Sequence, residues 1–406
     1  MLSQTLTHVV TAGDLDCEIH SSIDCISPED FARLFPSLPD SNEMIQFVQN
    51  SGFEGFEFYH IVVSQDGKPI LFLPLFESEY DLSTFIEGWA KKTVHTLSHW
   101  FGRLLRPRVL AVGFVEGEWG EIGFDREADQ KMLHLAWDLA LEKLQMLAVQ
   151  LKVDIVAFAN FNSESGSMIP VNRLNGFADI KSVPCAQLPI KFSRVEDYLN
   201  SLSKNMRKDL RRKWRKASDI KIVRTYDINP WLDQVYQFYL EQIKRSELVF
   251  GVYLKDFFKQ VCSKVPGSEY VLYFLGEKLV AFNLVVVERR HLVDKYFGMD
   301  FEIGRRYNLY FVSWLENVRF CVEHNIPLYH VGQTAERTKA RLGAQFLPSL
   351  ILFKHRNPLI HRFLLAFREQ LSYQSEISLP EVYLGGAWGE IPAFRKEPHI
   401  NAALSW

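Results

Sequence analysis

Tyr270-Val271-Leu272-Tyr273-Phe274, a turn at Leu275-Gly276-Glu277-Lys278, and then Leu279-Val280-Ala281-Phe282 read as a tight hairpin, because β-favouring residues flank a short polar turn holding a glycine. The first half of the chain spells the same unit in Tyr59-His60-Ile61-Val62-Val63, Gln65-Asp66-Gly67-Lys68 and Ile70-Leu71-Phe72-Leu73. Before the later hairpin stand a strand at Ile220-Lys221-Ile222-Val223-Arg224 and two amphipathic stretches; before the earlier one stand a strand at Glu18 to Ile23 and two short helical stretches. The agreement continues downstream. Val293-Asp294-Lys295-Tyr296-Phe297-Gly298, a helix near Asn308 to His324 with Trp314, and a strand at Leu328 to Val331 answer to Gly120 to Asp125, a helix near Ala128 to Gln150 with Trp137, and a strand at Val153 to Phe158. Each copy closes alike, with Leu174-Asn175-Gly176-Phe177 before Gln187 to Ile190, and Leu342-Gly343-Ala344-Gln345 before Leu350 to Phe353. One order written twice predicts an α/β (α+β) protein of two tandem domains, each a mixed, mostly antiparallel sheet flanked by helices. The expected divisions are 1–192 with an insertion at 77–118, a connecting helix at 193–218, a second domain at 219–371 and a tail at 372–406.

Length and composition agree with two cores: 406 residues, 47% of them hydrophobic and 31 phenylalanine, exceed what one compact core accommodates. A net charge of −3 excludes a globally cationic protein, so any grip on nucleic acid or anionic lipid must be local. Cys17, Cys25, Cys185, Cys262 and Cys321 form no CxxC pair, which argues against a disulfide framework and a structural metal site and for a reducing, cytoplasmic setting. Met1-Leu2-Ser3-Gln4-Thr5 lacks a signal-peptide start, and no apolar run nears the ~20 residues of a bilayer span. The expectation is a cytoplasmic protein, at most peripheral to the inner membrane.

Lys204 to Lys216 holds eight cations and one acid. Leu199, Leu202, Met206, Leu210 and Trp214 recur at helical spacing as a narrow apolar stripe, with Ser201 or Ser203 as the cap. Cations crowded on one helix repel unless an anion is near. Coenzyme A phosphates, an acyl-carrier protein, a tRNA backbone and an anionic membrane surface all qualify; a solvated linker helix paired with flanking acids is the plain alternative.

These residues resemble the GNAT acyltransferase superfamily, specifically its tandem FemAB-like branch, including the cellulose-biosynthesis-associated acetyltransferase-like proteins. The resemblance covers about residues 15 to 355 and rests on the element order, on Leu202-Ser203-Lys204-Asn205-Met206-Arg207-Lys208-Asp209-Leu210-Arg211-Arg212-Lys213, and on Gly332 followed by Lys339-Ala340-Arg341-Leu342-Gly343. It implies an N-acyltransferase with no permanently bound cofactor. Acyl-CoA or acyl-phosphopantetheine would be the donor and a small-molecule amine the acceptor. Aminoacyl transfer from tRNA to a peptidoglycan-type amine is the alternative within the fold, although the overall acidity opposes a broad RNA footprint. A non-catalytic module gripping an anionic partner is the alternative outside it.

The resemblance also places candidate residues. The usual pyrophosphate loop, Arg-x-x-Gly-x-Gly/Ala, is reduced to Glu302-Ile303-Gly304-Arg305-Arg306-Tyr307-Asn308-Leu309. Gly304, Arg305, Arg306 and Asn308 before a helix N-terminus, with Lys339 and with Gly298 for close backbone approach, are the donor-binding candidates. Asp125 and Glu127 at the matching turn of the first copy would repel a pyrophosphate, which marks that copy as degenerate. Asp300, Glu302 and His330 are candidate bases, Tyr296 a candidate acid for the leaving thiolate, and Cys321 a core residue. Arg337 and Arg341 cluster with Lys339. The insertion, with Lys91, Lys92, His95, His99, Arg103, Arg106 and Arg108, reads as a basic amphipathic helix that shapes a pocket, touches a membrane or simply packs.

Overall fold

A computed structural model of the chain describes residues 10–12, 14–38, 40–51, 53–80, 106–115, 117, 119–246, 251–288, 290–333 and 335–385. Lys91, Lys92, His95, His99 and Arg103 of the expected insertion, and Trp388 and Trp406 of the tail, lie outside them. The first half supplies β1 (Val10–Ala12), β2 (Leu15–His20), α1 (Pro28–Leu34), α2 (Asn42–Asn50), β3 (Phe56–Gln65), β4 (Lys68–Glu79), β5 (Arg108–Val112), β6 (Gly123–Phe124), α3 (Gln130–Leu151), β7 (Ile155–Phe161), β8 (Ala178–Lys181) and β9 (Cys185–Pro189). After α4 (Val195–Ser201) and α5 (Lys204–Lys216), the second half supplies β10 (Ile220–Thr225), α6 (Leu232–Arg245), α7 (Lys255–Lys264), β11 (Ser268–Leu275), β12 (Lys278–Glu288) and β13 (His291–Met299). It continues with α8 (Phe301–Tyr307), α9 (Leu309–Glu323), β14 (Leu328–Gly332), α10 (Glu336–Arg341), β15 (Gln345–Leu347), β16 (Leu350–His355), α11 (Pro358–Ala366) and α12 (Arg368–Leu371).

The hairpin β11–β12 shows why its sequence is apolar without alternation. Val271, Tyr273, Val280, Ala281 and Val285 join the core under α9, while Tyr270, Leu272, Phe274, Phe282 and Leu284 join the core under α6 and α7. Side chains alternate across the sheet, and helices cover both faces, so both sets are buried. The same logic forms the first sheet around α3.

The sheets run β1-β2-β3-β4-β5-β7-β16-β8, with β6 beside β4, and β10-β11-β12-β13-β14-β9-β15. The last strand of each half therefore lies in the sheet of the other. β9 pairs with β14 (Tyr329 opposite Leu188) and β16 with β7 (Phe353 opposite Ala157). Residues 182–184 carry the chain from β8 to β9 and residues 348–349 carry it from β15 to β16, and the crossings are bonded to each other by Ser182 N to Ser349 O at 2.9 Å. The expected divisions at 192 and 219 thus cut through both sheets: the two halves interlock through their closing strands rather than forming separate blocks. A second correction concerns the first half. Its parallel partner for β7 is β5, inside the stretch set aside as an insertion, whereas Gly120 to Asp125 contributes only the short β6.

The basic helix forms as α5, capped by Ser203 Oγ accepting from Met206 N. Leu202, Met206 and Leu210 are buried, but Trp214 is 38% exposed, so the docking stripe is shorter than its spacing suggests. None of the described helices is long and apolar enough to cross a membrane.

His60 on β3 is wholly buried; its Nε2 faces the Gln49 amide and its Nδ1 has no hydrogen-bond partner. Desolvation, with His20 nearby, pushes its pKa down to about 3. The unfolded chain takes up a proton near pH 6.5 that the folded chain refuses, so stability is lost as pH falls below about 6.5 toward 3. Between neutral pH and pH 5 the expected loss from this group is about 2 kcal/mol. Urea melts across that range check it: His60→Phe should flatten this part of the slope, while buried His355 and half-buried His361, also shifted down, keep the remainder.

Candidate functional site

β13 and β14 are parallel and pair only at His291 with Leu328, Leu292 with Tyr329 and Val293 with His330. β13 then runs on to Met299 beside β12, and among the described residues no strand pairs with its other edge there. The parting coincides with a bulge: Tyr296 pairs with Leu284 and Asp294 with Val285, leaving Lys295 as the extra residue. Buried polar groups hold it in place. Asp294 accepts from Asn283 Nδ2 at 2.5 Å and Tyr329 OH at 2.8 Å, and Asn317 Nδ2 on α9 reaches Asn283 Oδ1 and the Tyr329 hydroxyl at 2.9 Å. The network ties β12, β13, β14 and α9 together at the point where the strands separate.

The bulge turns Lys295 toward the first half, where its Nζ meets Asp40 Oδ1 at 2.6 Å, the two side chains being 6% and 3% exposed. His330, wholly buried, lies 3.2 Å from His291 Nδ1 and stacks with Trp119, whose ring centroid is 5.4 Å away. At the C-terminal tip of β14, the buried Lys339 Nζ donates to Gly332 O at 3.0 Å and Gln333 O at 2.5 Å. Two cations and an imidazole pair therefore border the wedge. The basic helix packs on the first turn of α9, where Lys213 Nζ sits 3.2 Å above the ring of Phe311.

The other candidates go elsewhere. Asp300 caps α8 through Ile303 N at 3.1 Å and pairs with Lys278 at 2.9 Å; burial raises its pKa, but these two contacts outweigh that and leave it lowered, the wrong direction for a base. Glu302 is exposed in the first turn of α8. Tyr296 packs among Tyr239, Tyr253 and Phe258, on the face opposite Asp294. A Cβ on Gly298 would stand 2.5 Å from the Phe282 ring and 3.1 Å from the Phe238 backbone, so this glycine serves the packing of α6 rather than the approach of a donor. Gly304, Arg305 and Arg306 lie inside α8, the short helix that leads into α9, and Gly304 N is bonded to Asp300 O. Asn308 joins α8 to α9 with φ +57°. The turn expected to hold a phosphate at residues 304–306 is itself helical, as the second half of α8. Arg337 pairs with Glu376, and Cys321 is buried in α9 with its thiol pushed up to about 12 by desolvation, a core residue.

The corresponding parting in the first half is closed by its own chain. Beyond Val112, Gly120 N donates to Asn160 O at 2.9 Å, and a Cβ on Gly120 would collide with Ala159 O and Phe161. Asp125 there is not a bare charge, since Arg33 and Lys68 neutralise it at 2.7 and 2.8 Å.

Asp40, His291, Trp119, Lys295, Asn283 and Asn317 escaped the sequence reading. Only the last two carry a local signal, a lone asparagine within the apolar runs of β12 and α9.

Two interlocked sheets, each with a parallel pair that parts at its fourth strand, define a GNAT-like transferase fold in tandem. A family model described as FemAB-like, peptidoglycan biosynthesis/recognition, matches residues 52–377, and the chain belongs to that family. Among solved structures, FemX aligns over 85% of this chain and 99% of its own at 11% identity and a TM-score of 0.54. A tandem GNAT protein from the clavulanic acid biosynthesis pathway aligns over 85% and 99% at 10% identity and a TM-score of 0.50. At these identities the likeness is one of fold. No curated protein sequence matches the chain.

Proposed function

We propose that the protein transfers an aminoacyl group from an RNA ester to an amine in the wedge between β13 and β14. The observation that carries this reading is the parting of β13 from β14 beyond Val293, bordered by Lys339 and by the His330–His291 pair. An amine lone pair attacks the acyl carbonyl, a C–N bond forms, and the carbonyl oxygen takes the charge. Collapse expels the ribose oxygen, which accepts the proton released by the amine. The Lys339 ammonium stabilises the oxyanion, and His330 relays the proton through His291.

An acyl-CoA donor uses the same chemistry but brings a pyrophosphate, and residues 304–306, the segment expected to hold it, are wound into α8. An RNA ester needs a cationic track. On α5, Lys204, Lys208, Arg215 and Lys216 have no carboxylate partner among the described residues, whereas Arg211, Arg212 and Lys213 pair with Glu196 or Asp209. Thermal shift with acyl-CoAs and with aminoacyl-tRNA, followed by transfer assays on amine acceptors, tests the choice. Aminoacyl-tRNA should raise the melting temperature, and the triple variant Lys208→Gln, Arg215→Gln, Lys216→Gln should abolish the rise. Stabilisation by acyl-CoA alone would replace the donor; transfer unaffected by His330→Gln would remove the proton relay.

A further inference from the structure

Helix α11 is apolar on both sides. Its inner side, Leu364 with Ile360 and Leu365, covers Ala111, Ile155, Ala157, Ala178 and Phe353 on the first sheet. Its outer side carries Leu359 and Phe363, and Phe367 follows one turn later; they are 74%, 57% and 44% exposed. The Phe363 and Phe367 rings meet with centroids 4.7 Å apart, forming one continuous stripe. A helix lying on a sheet ordinarily turns polar residues to water. This one contains no Asp or Glu, and its single fully charged side chain, Arg362, is exposed without a carboxylate partner among the described residues. Arg356 and Arg368 flank the helix, their guanidinium groups paired with Asp154 and Asp179 at 3.1 and 3.6 Å.

We propose that α11 docks the protein on an anionic lipid surface. Leu359, Phe363 and Phe367 enter the boundary between headgroups and acyl chains, while Arg362, with Arg356 and Arg368 beside it, stays at the level of the lipid phosphates. Leucine and phenylalanine on one face, with Arg362 beside them and no acid within the helix itself, is the composition that an interfacial helix requires. A second copy of the chain fits less well, because a two-fold contact through this stripe sets Arg362 near its symmetry mate.

Co-sedimentation of the full chain with vesicles of phosphatidylcholine, with and without phosphatidylglycerol, tests the proposal. The protein should partition onto the anionic vesicles, and less so as salt rises. Phe363→Ser should weaken partitioning about tenfold, with no fall in melting temperature, since the side chain faces solvent. Arg362→Gln should reduce the preference for anionic over neutral vesicles. Three results overturn the proposal: no partitioning; partitioning that Phe363→Ser leaves unchanged, as binding through the cations of α5 alone would give; or a concentration-dependent dimer that Phe363→Ser dissolves.

Discussion

Asp40→Ala should cost about 3–5 kcal/mol of stability, because it leaves the Lys295 ammonium charged in a water-poor seam. Asp40 lies just before the α2 cap in the first half, and Lys295 is the bulged residue of β13 in the second, so their 2.6 Å contact joins the halves at the parting itself. Removing both charges is a different experiment. The pair Asp40→Leu, Lys295→Met should recover most of the loss, since replacing a buried ion pair by apolar groups of similar volume is often near neutral. Urea denaturation of the two single variants and the double variant closes the cycle. Single variants close to wild type would mean that water reaches the pair and that the seam is open.

Lys339→Met should lower the transfer rate about a hundredfold to a thousandfold if its ammonium faces the oxyanion. The substitution also leaves Gly332 O and Gln333 O without their donor, a loss of about 1–3 kcal/mol in stability. Folding and chemistry separate by measuring both: the melting temperature reads the lost hydrogen bonds, and single-turnover transfer by folded protein reads the charge. A variant that melts lower yet transfers at the wild-type rate would make Lys339 a tie between β14 and α10 and nothing more.

Much of the architecture was legible because its signals are local. Asp66-Gly67 and Gly276-Glu277 set their hairpins through turn chemistry, and Ser203 with the apolar residues that follow it wrote α5 a full-length helix. Asp300 shows the limit of the same approach. A carboxylate between a strand and a helix suits a base and a cap equally, and only the Ile303 N–H and the Lys278 ammonium decide for the cap. Gly298 was ambiguous in the same way until Phe238 and Phe282 were seen to fill the space beside it.

The chain's own order of residues determined the doubled plan, the turn positions and the basic helix, because each follows from neighbours within a few residues. Tertiary structure alone decided that β9 and β16 change places, that Asp40 meets Lys295, and that β13 parts from β14 beyond Val293 while Gly120 bonds to Asn160 beyond the matching strand of the first half. Those outcomes depend on which edges and charges come together across the whole molecule, and the energies that select them arise only once water has been excluded between distant segments.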